Sequence, residues 1–198
     1  MEIVFATNNR HKLEEIGAIL GEKFKLLGLS DLNLAEDIPE DYHTLEENAS
    51  QKAWYIYKRT GKSCFADDTG LEVKGLNGEP GVYSARYSRM GDLQFPDMET
   101  TAGNIRKLLK KMEGMDQRSA RFRTIIALVW EGREYQFEGR IEGQISLEPS
   151  GQQGFGYDPV FVPGGYDMSF AEMPLEEKNR ISHRAKAVEK LVDFLSHR

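Results

Sequence analysis

The chain has 198 residues, 39% of them hydrophobic and 29% charged, enough to bury a core in a single domain over residues 1–198 that has room for two lobes. A net charge of −6 argues against a nucleic-acid polymer as partner, because binders of the phosphate backbone carry a basic face; a small phosphorylated ligand needs only a local basic cluster. The single cysteine, Cys64, excludes an internal disulfide and fits a reducing, cytoplasmic setting, and no apolar run approaches the roughly 20 residues that span a bilayer.

The opening MEIVFATNNRHK has too short an apolar run for a signal peptide, so no targeting segment is expected. Residues 3–6 predict a short buried strand. Residues 12–20 predict a helix, with Leu13, Ile16 and Leu20 spaced by three and four. A second strand is expected over 23–28. Thr44 is the expected N-cap of a helix over 44–59, with Glu47 three residues on in the capping-box pattern and Leu45, Ala49, Ala53 and Ile56 as the apolar stripe. A third strand over 62–66 is expected to end at the adjacent acids Asp67 and Asp68. Residues 87–104 read as a surface loop leading into a helix over 101–112, with Ile105, Leu108 and Met112 on one face. The runs ARFRTIIALVW and EYQFEGRIEGQI, joined at Glu131-Gly132-Arg133, predict a hairpin of long strands. From about Leu175 the chain is mostly helical, with Val188, Leu191, Val192 and Leu195 as its buried stripe. Trp54, Tyr55, Tyr57 and Trp130 are read as core, with an interface as the alternative. The class is α/β with a mixed sheet.

Four polar clusters do not fit as scaffold. In ATNNRHK, residues 6–12, a strand ends and a helix begins. Free N–H groups at a helix N-terminus attract anions, Lys12 adds a charge, and Thr7 and Asn9 add donors; an ordinary capped helix start is the plainer alternative. The chain lacks the glycine-rich segment of a P-loop. Asp67 and Asp68 repel each other unless a proton or cation relieves them. Mg²⁺ does so with one or two carboxylates and the phosphate oxygens of a substrate, whereas an exposed acidic turn needs neither. Residues 36–48 are dense in acids and offer a further metal ligand. In GQQGFGYDPVF, residues 151–161, glycines around Phe155 present an aromatic ring on which a base can stack, worth about 1–3 kcal/mol. Lys178, His183 and Arg184 follow in EEKNRISHRAKA, and a helix break is needed to aim all three together.

With these residues in view, the segments ATNNRHK, ENA, ADDTGL, GVYSARY, GFGYDPVF, EMPLEEKN and SHRAKA, in this order, resemble the inosine triphosphate pyrophosphatase family in its bacterial form. The resemblance runs from residue 3 to about 195. It implies an α/β fold with a long curved mixed sheet, flanking helices and two lobes around a central cleft. It implies hydrolysis of non-standard purine nucleoside triphosphates (ITP, dITP and XTP) to the monophosphate and pyrophosphate, with Mg²⁺, by a homodimer.

Carried over residue by residue, Thr7, Asn8, Asn9, Arg10, His11 and Lys12 match the phosphate-binding stretch. Asn8 departs from the glycine of many members, and asparagine is the next most tolerant residue of a left-handed turn. Asp68 is implied as the base that activates water and as a magnesium ligand, Asp67 as a neighbour that shapes the site or holds metal-bound water, and Glu40 as the second metal carboxylate. Thr69 is implied to touch substrate. Phe155, Gly156, Tyr157, Asp158, Lys178, His183 and Arg184 match the base-recognition set. A nucleotide sensor without turnover and a nucleic-acid binder are the competing classes. Retention of both acids argues against the first, and the negative charge against the second. Related pyrophosphatases for modified pyrimidines begin with a serine-rich turn that ATNNRHK does not match.

Overall fold

In the computed structural model, which describes residues 2–20, 24–34, 38–96 and 98–198, the N-terminal apolar run forms β1 (Glu2–Phe5), and a polar turn leads into α1 (Arg10–Leu20). β2 (Lys25–Leu27) lies within the strand expected over 23–28, whose first residue falls outside the described residues. α2 (Leu45–Thr60) begins where the capping pattern places it: the Thr44 side chain accepts the Glu47 N–H, and its hydroxyl donates to the Glu47 carboxylate at 2.8 Å. β1 pairs in parallel with β2 and with β3 (Cys64–Val73). Parallel neighbours need crossover connections, and α1 and α2 supply them.

β3 departs from the expectation. The strand does not stop before Asp67 but runs ten residues to Val73, so both acids lie inside it. Acidic residues disfavour strands by propensity; here the interior place of β3 in the sheet, between β1 and β5 (Ser119–Trp130) and with β4 (Pro80–Gly81) paired at its far end, overrides that. A 3₁₀ segment (Ser84–Arg89) and α3 (Thr100–Lys111) follow. β5 (Ser119–Trp130) and β6 (Arg133–Ile145) form the expected hairpin, turning at Glu131 and Gly132 with φ of 48° and 76°. β7 (Phe161–Pro163), α4 (Leu175–Ile181) and α5 (His183–Ser196) complete the chain. The described strands form one mixed sheet in the order β2-β1-β3-β5-β6-β7, with β4 on β3.

The chain divides into two compact units, Met1–Asp68 with Thr124–Gly139 and Ser182–Arg198, and Thr69–Arg123 with Arg140–Ile181. Each has its own core. In the first, Phe5 and Phe65 stack at 4.6 Å between centroids, enclosed by Ile16 and Leu20 of α1 and Val188, Leu191 and Leu195 of α5. In the second, Leu108 of α3 and its C-cap Met112 join Phe122, Phe161 and Phe170, whose rings pack in tilted pairs with centroids 4.7 Å apart for Phe122–Phe161 and 5.2 Å for Phe161–Phe170. Trp54, Tyr55 and Tyr57, read as core, are instead half-buried on α2; the Trp54 indole donates to Glu134 at 2.6 Å, a polar bond that a surface position allows. Trp130 packs on the first core as a partly buried residue. No described helix is long and apolar enough to cross a membrane.

Candidate active site

Successive side chains of a strand point to opposite faces, and this separates the two adjacent acids. Each finds its own cation within the first unit. Asp67, 2% exposed, has Oδ1 2.7 Å from the Lys12 ammonium and Oδ2 3.4 Å from Nε of Arg184. The Arg184 guanidinium also binds the buried Glu15 carboxylate of α1. Burial opposes ionisation of Asp67, but Lys12 and Arg184 outweigh it and hold the carboxyl well below the usual range. For Lys12 burial dominates and lowers the pKa, against the pull of Asp67.

Asp68, on the other face, meets Lys52 of α2. The Lys52 ammonium lies 3.2 Å from Asp68 Oδ1 and 2.6 Å from Glu40 Oε1. Asp68 Oδ2 is buried and accepts no hydrogen bond. Burial raises the pKa of Asp68 above that of an ordinary carboxyl; Glu40 adds to the rise and Lys52 opposes it. A buried carboxylate with one lone-pair edge unused and a raised proton affinity has the properties of a general base. Glu40 and Asp68 are the carboxylates joined through Lys52. Glu36 and Asp37, at the start of the acidic stretch, lie outside the described residues.

The turn before α1 is self-organised. Thr7 Oγ1 accepts the Asn9 N–H at 3.1 Å, and Asn9 Oδ1 accepts the Lys12 N–H at 3.2 Å, so Asn9 caps the helix that carries Lys12. Asn8 does not take a left-handed conformation; among described non-glycine residues only Asn33, Asn77 and Glu131 do, so the turn tolerates the departure from glycine. Arg10 pairs with Glu14 on the solvent face of α1, and His11 lies exposed 3.9 Å from the same carboxylate.

The second unit holds the aromatic loop. Asp158 Oδ2 accepts the Phe155 N–H at 2.8 Å and the Lys178 ammonium at 2.7 Å. That ammonium also sits 5.2 Å from the Phe155 ring centre, within cation–π range. Gly154, at φ 74°, lets the loop close on Asp158: a Cβ there would lie 2.1 Å from Asp158 Oδ2. Phe155 and Gly156 are half-buried, whereas Tyr157 is buried with its hydroxyl donated to the Ser84 carbonyl. Thr69 is a half-buried residue of β3, next after Asp68.

The expected helix break falls at Ser182, which caps α5 by accepting the Ala185 N–H at 3.1 Å. It separates Lys178, in the middle of α4 in the second unit, from the buried His183 and Arg184 in the first. Within the first unit Arg184 is engaged by two carboxylates, Glu15 and Asp67. Lys52, Glu15 and Ser84 escaped the sequence reading. A signal for two of them exists: Lys52 and Glu15 occupy buried positions beside Ala53 and Ile16 on the buried helix stripes, where an ionisable group needs a partner.

Residues 3–194 match the Ham1 family profile. A dITP/XTP pyrophosphatase of Flavobacterium johnsoniae is 49% identical over 99% of this chain and 98% of its own. One of Porphyromonas gingivalis is 51% identical over 98% and 97%. Among solved structures, a Ham1 protein of Coxiella burnetii superposes with a TM-score of 0.87 at 37% identity, covering all of both chains. The Staphylococcus aureus Ham1 protein gives 0.85 at 37%, covering 100% of this chain and 99% of its own.

Proposed function

The chain belongs to the Ham1 family, and from that premise we propose how its residues divide the work of a nucleoside-triphosphate pyrophosphatase. It hydrolyses non-standard purine nucleoside triphosphates, ITP, dITP and XTP, to the monophosphate and pyrophosphate. Asp68 accepts a proton from water as the water oxygen bonds to the α-phosphorus; the bond from that phosphorus to the bridging oxygen breaks, and pyrophosphate leaves. The observation that carries this reading is the buried Asp68 carboxylate, with Oδ1 on Lys52 and Oδ2 left unbonded.

Lys12, presented by the Asn9-capped end of α1, holds the phosphates. Asp67 and Arg184 keep its ammonium aimed, and Thr69 adds a contact. Asp68 and Glu40 hold Mg²⁺. The orphaned Oδ2 supports this, as does the Lys52 ammonium, which already places positive charge between the two carboxylates. Mg²⁺ takes one or two carboxylates and completes its shell with water and substrate phosphate. When bound, Mg²⁺ supplies charge neutralisation to the phosphates, the dominant need of phosphoryl transfer. Phe155 stacks on the base, and Lys178, steadied by Asp158, donates to its edge; His183 keeps the base-reading role that the resemblance implies. The enzyme acts as a homodimer in the cytoplasm, a setting supported by the buried free thiol of Cys64; sedimentation tests the dimer.

Pyrophosphate release measured over ITP, dITP, XTP, ATP and GTP, with Mg²⁺ and with EDTA, tests the function. Release confined to the first three and abolished by EDTA is expected. Binding of ITP without release would make the protein a sensor, and equal release from ATP would remove base discrimination.

A further inference from the structure

The segment GVYSARY, residues 81–87, has no task in the chemistry above, yet it forms the polar centre of the second unit. Ser84, 8% exposed, faces three ways. Its Oγ accepts the Leu71 N–H at 2.9 Å, two residues after Thr69, and donates to the Gly81 carbonyl at 2.6 Å. Its carbonyl accepts the Tyr157 hydroxyl at 3.0 Å and the Asn104 side-chain amide at 3.1 Å. The same amide nitrogen donates to the Ala85 carbonyl, and Asn104 Oδ1 accepts the Ser88 N–H at 2.7 Å. α3 comes close enough for this because residue 103 is glycine: a Cβ there would lie 2.9 Å from that of Ser88.

We propose that Ser84, held by Asn104, is a positioning residue for the nucleobase: its carbonyl anchors the Tyr157 hydroxyl and thereby fixes the loop that presents Phe155. Tyr157 is two residues from Phe155 and adjoins Asp158, so the hydroxyl bond holds the loop from below while Asp158 closes it from within. A buried network in which Ser84, Asn104 and Tyr157 are each bonded restricts them to one arrangement, and a ring held in its bound pose loses less freedom when the base stacks. The inference rests on the assignment of Phe155 to base stacking.

Tyr157→Phe keeps the ring in the core and removes only the hydroxyl, and the Ser84 carbonyl keeps Asn104 as donor. The loop contacts the base and not the reacting phosphorus, so the loss falls on binding that is equal in ground and transition states. KM for ITP should rise about 3- to 10-fold with kcat within about twofold, the range of one hydrogen bond. Inhibition by inorganic tripolyphosphate, which has no base, should be unchanged. Asn104→Asp should shift KM in the same direction, and the KM effect of the double variant should be less than additive, because Asn104 acts on the base only through the carbonyl that holds the Tyr157 hydroxyl. If Asn104→Asp does not fold, Tyr157→Phe alone decides. An unchanged KM in Tyr157→Phe, in a protein whose Phe155→Ala variant raises KM, overturns the inference and leaves the stacking assignment standing. An unchanged KM in Phe155→Ala removes the stacking assignment and the inference with it. A parallel rise in KM and in the tripolyphosphate inhibition constant shows general loosening and also overturns it.

Discussion

Asp68→Asn separates stability from catalysis. The substitution keeps shape and removes the charge that lies buried in β3. Losing one partner of a buried ion pair ordinarily costs about 3–5 kcal/mol, because the other charge is stranded. That penalty does not apply, since Lys52 keeps Glu40 at 2.6 Å. What disappears is a desolvated carboxylate with one oxygen unbonded. Leaving such a group unsatisfied costs about 1–3 kcal/mol; the amide still places a polar atom there, so a net gain near the lower end, about 1 kcal/mol, is expected. The raised pKa of Asp68 has the same sign, because the folded protein prefers the neutral carboxyl. In EDTA the variant should therefore melt about 2–4 °C above the parent, while pyrophosphate release from ITP with Mg²⁺ falls about 10²- to 10⁴-fold. Mg²⁺ should raise the melting temperature of the parent more than that of the variant. Turnover within a few-fold of the parent would falsify the base assignment; a variant that melts several degrees lower would refute the charge argument.

Lys12→Ala should weaken ITP by about 10- to 100-fold and leave inosine nearly unaffected, the range of a charge-assisted phosphate contact; calorimetric titration with equal losses for both would place Lys12 away from the phosphates. Arg184→Met should cost about 3–5 kcal/mol in urea unfolding, since Glu15 and Asp67 stay buried with a cation fewer. Arg10→Ala, whose pair with Glu14 is exposed, should stay within about 0.5 kcal/mol, and similar losses for the two would contradict the burial argument. Burial pushes the Cys64 thiol up to about 12 from 9.0. Below pH 9 both states hold the proton; between pH 9 and 12 the unfolded thiol ionises first, so this group lowers stability by about 1.4 kcal/mol per pH unit. Cys64→Ala should flatten the fall of melting temperature across that window, and an identical slope would show that the thiol titrates normally.

The sequence by itself determined the elements whose cause is local. The Thr44 cap, the spacing of Ile105 and Leu108, the turn at Glu131 and Gly132, and the break at Ser182 each rest on bonds within a few residues, and each appears where the pattern placed it. The order of the polar segments was enough to identify the family, because those segments are read along the chain. Tertiary structure alone decided which cation serves which acid. Asp67 and Asp68 are adjacent in sequence, yet β3 sends them to opposite faces, and their partners come from positions 55 and 16 residues away for Lys12 and Lys52, and 117 away for Arg184. The extension of β3 through both acids follows from the same cause, since its interior place between β1 and β5, with β4 at its far end, outweighs the low strand propensity of aspartate. Ser84 carries no local signal either. Its importance lies in a main-chain carbonyl, a group that every residue has, and only the approach of α3 and the loop at Tyr157 gives it two donors.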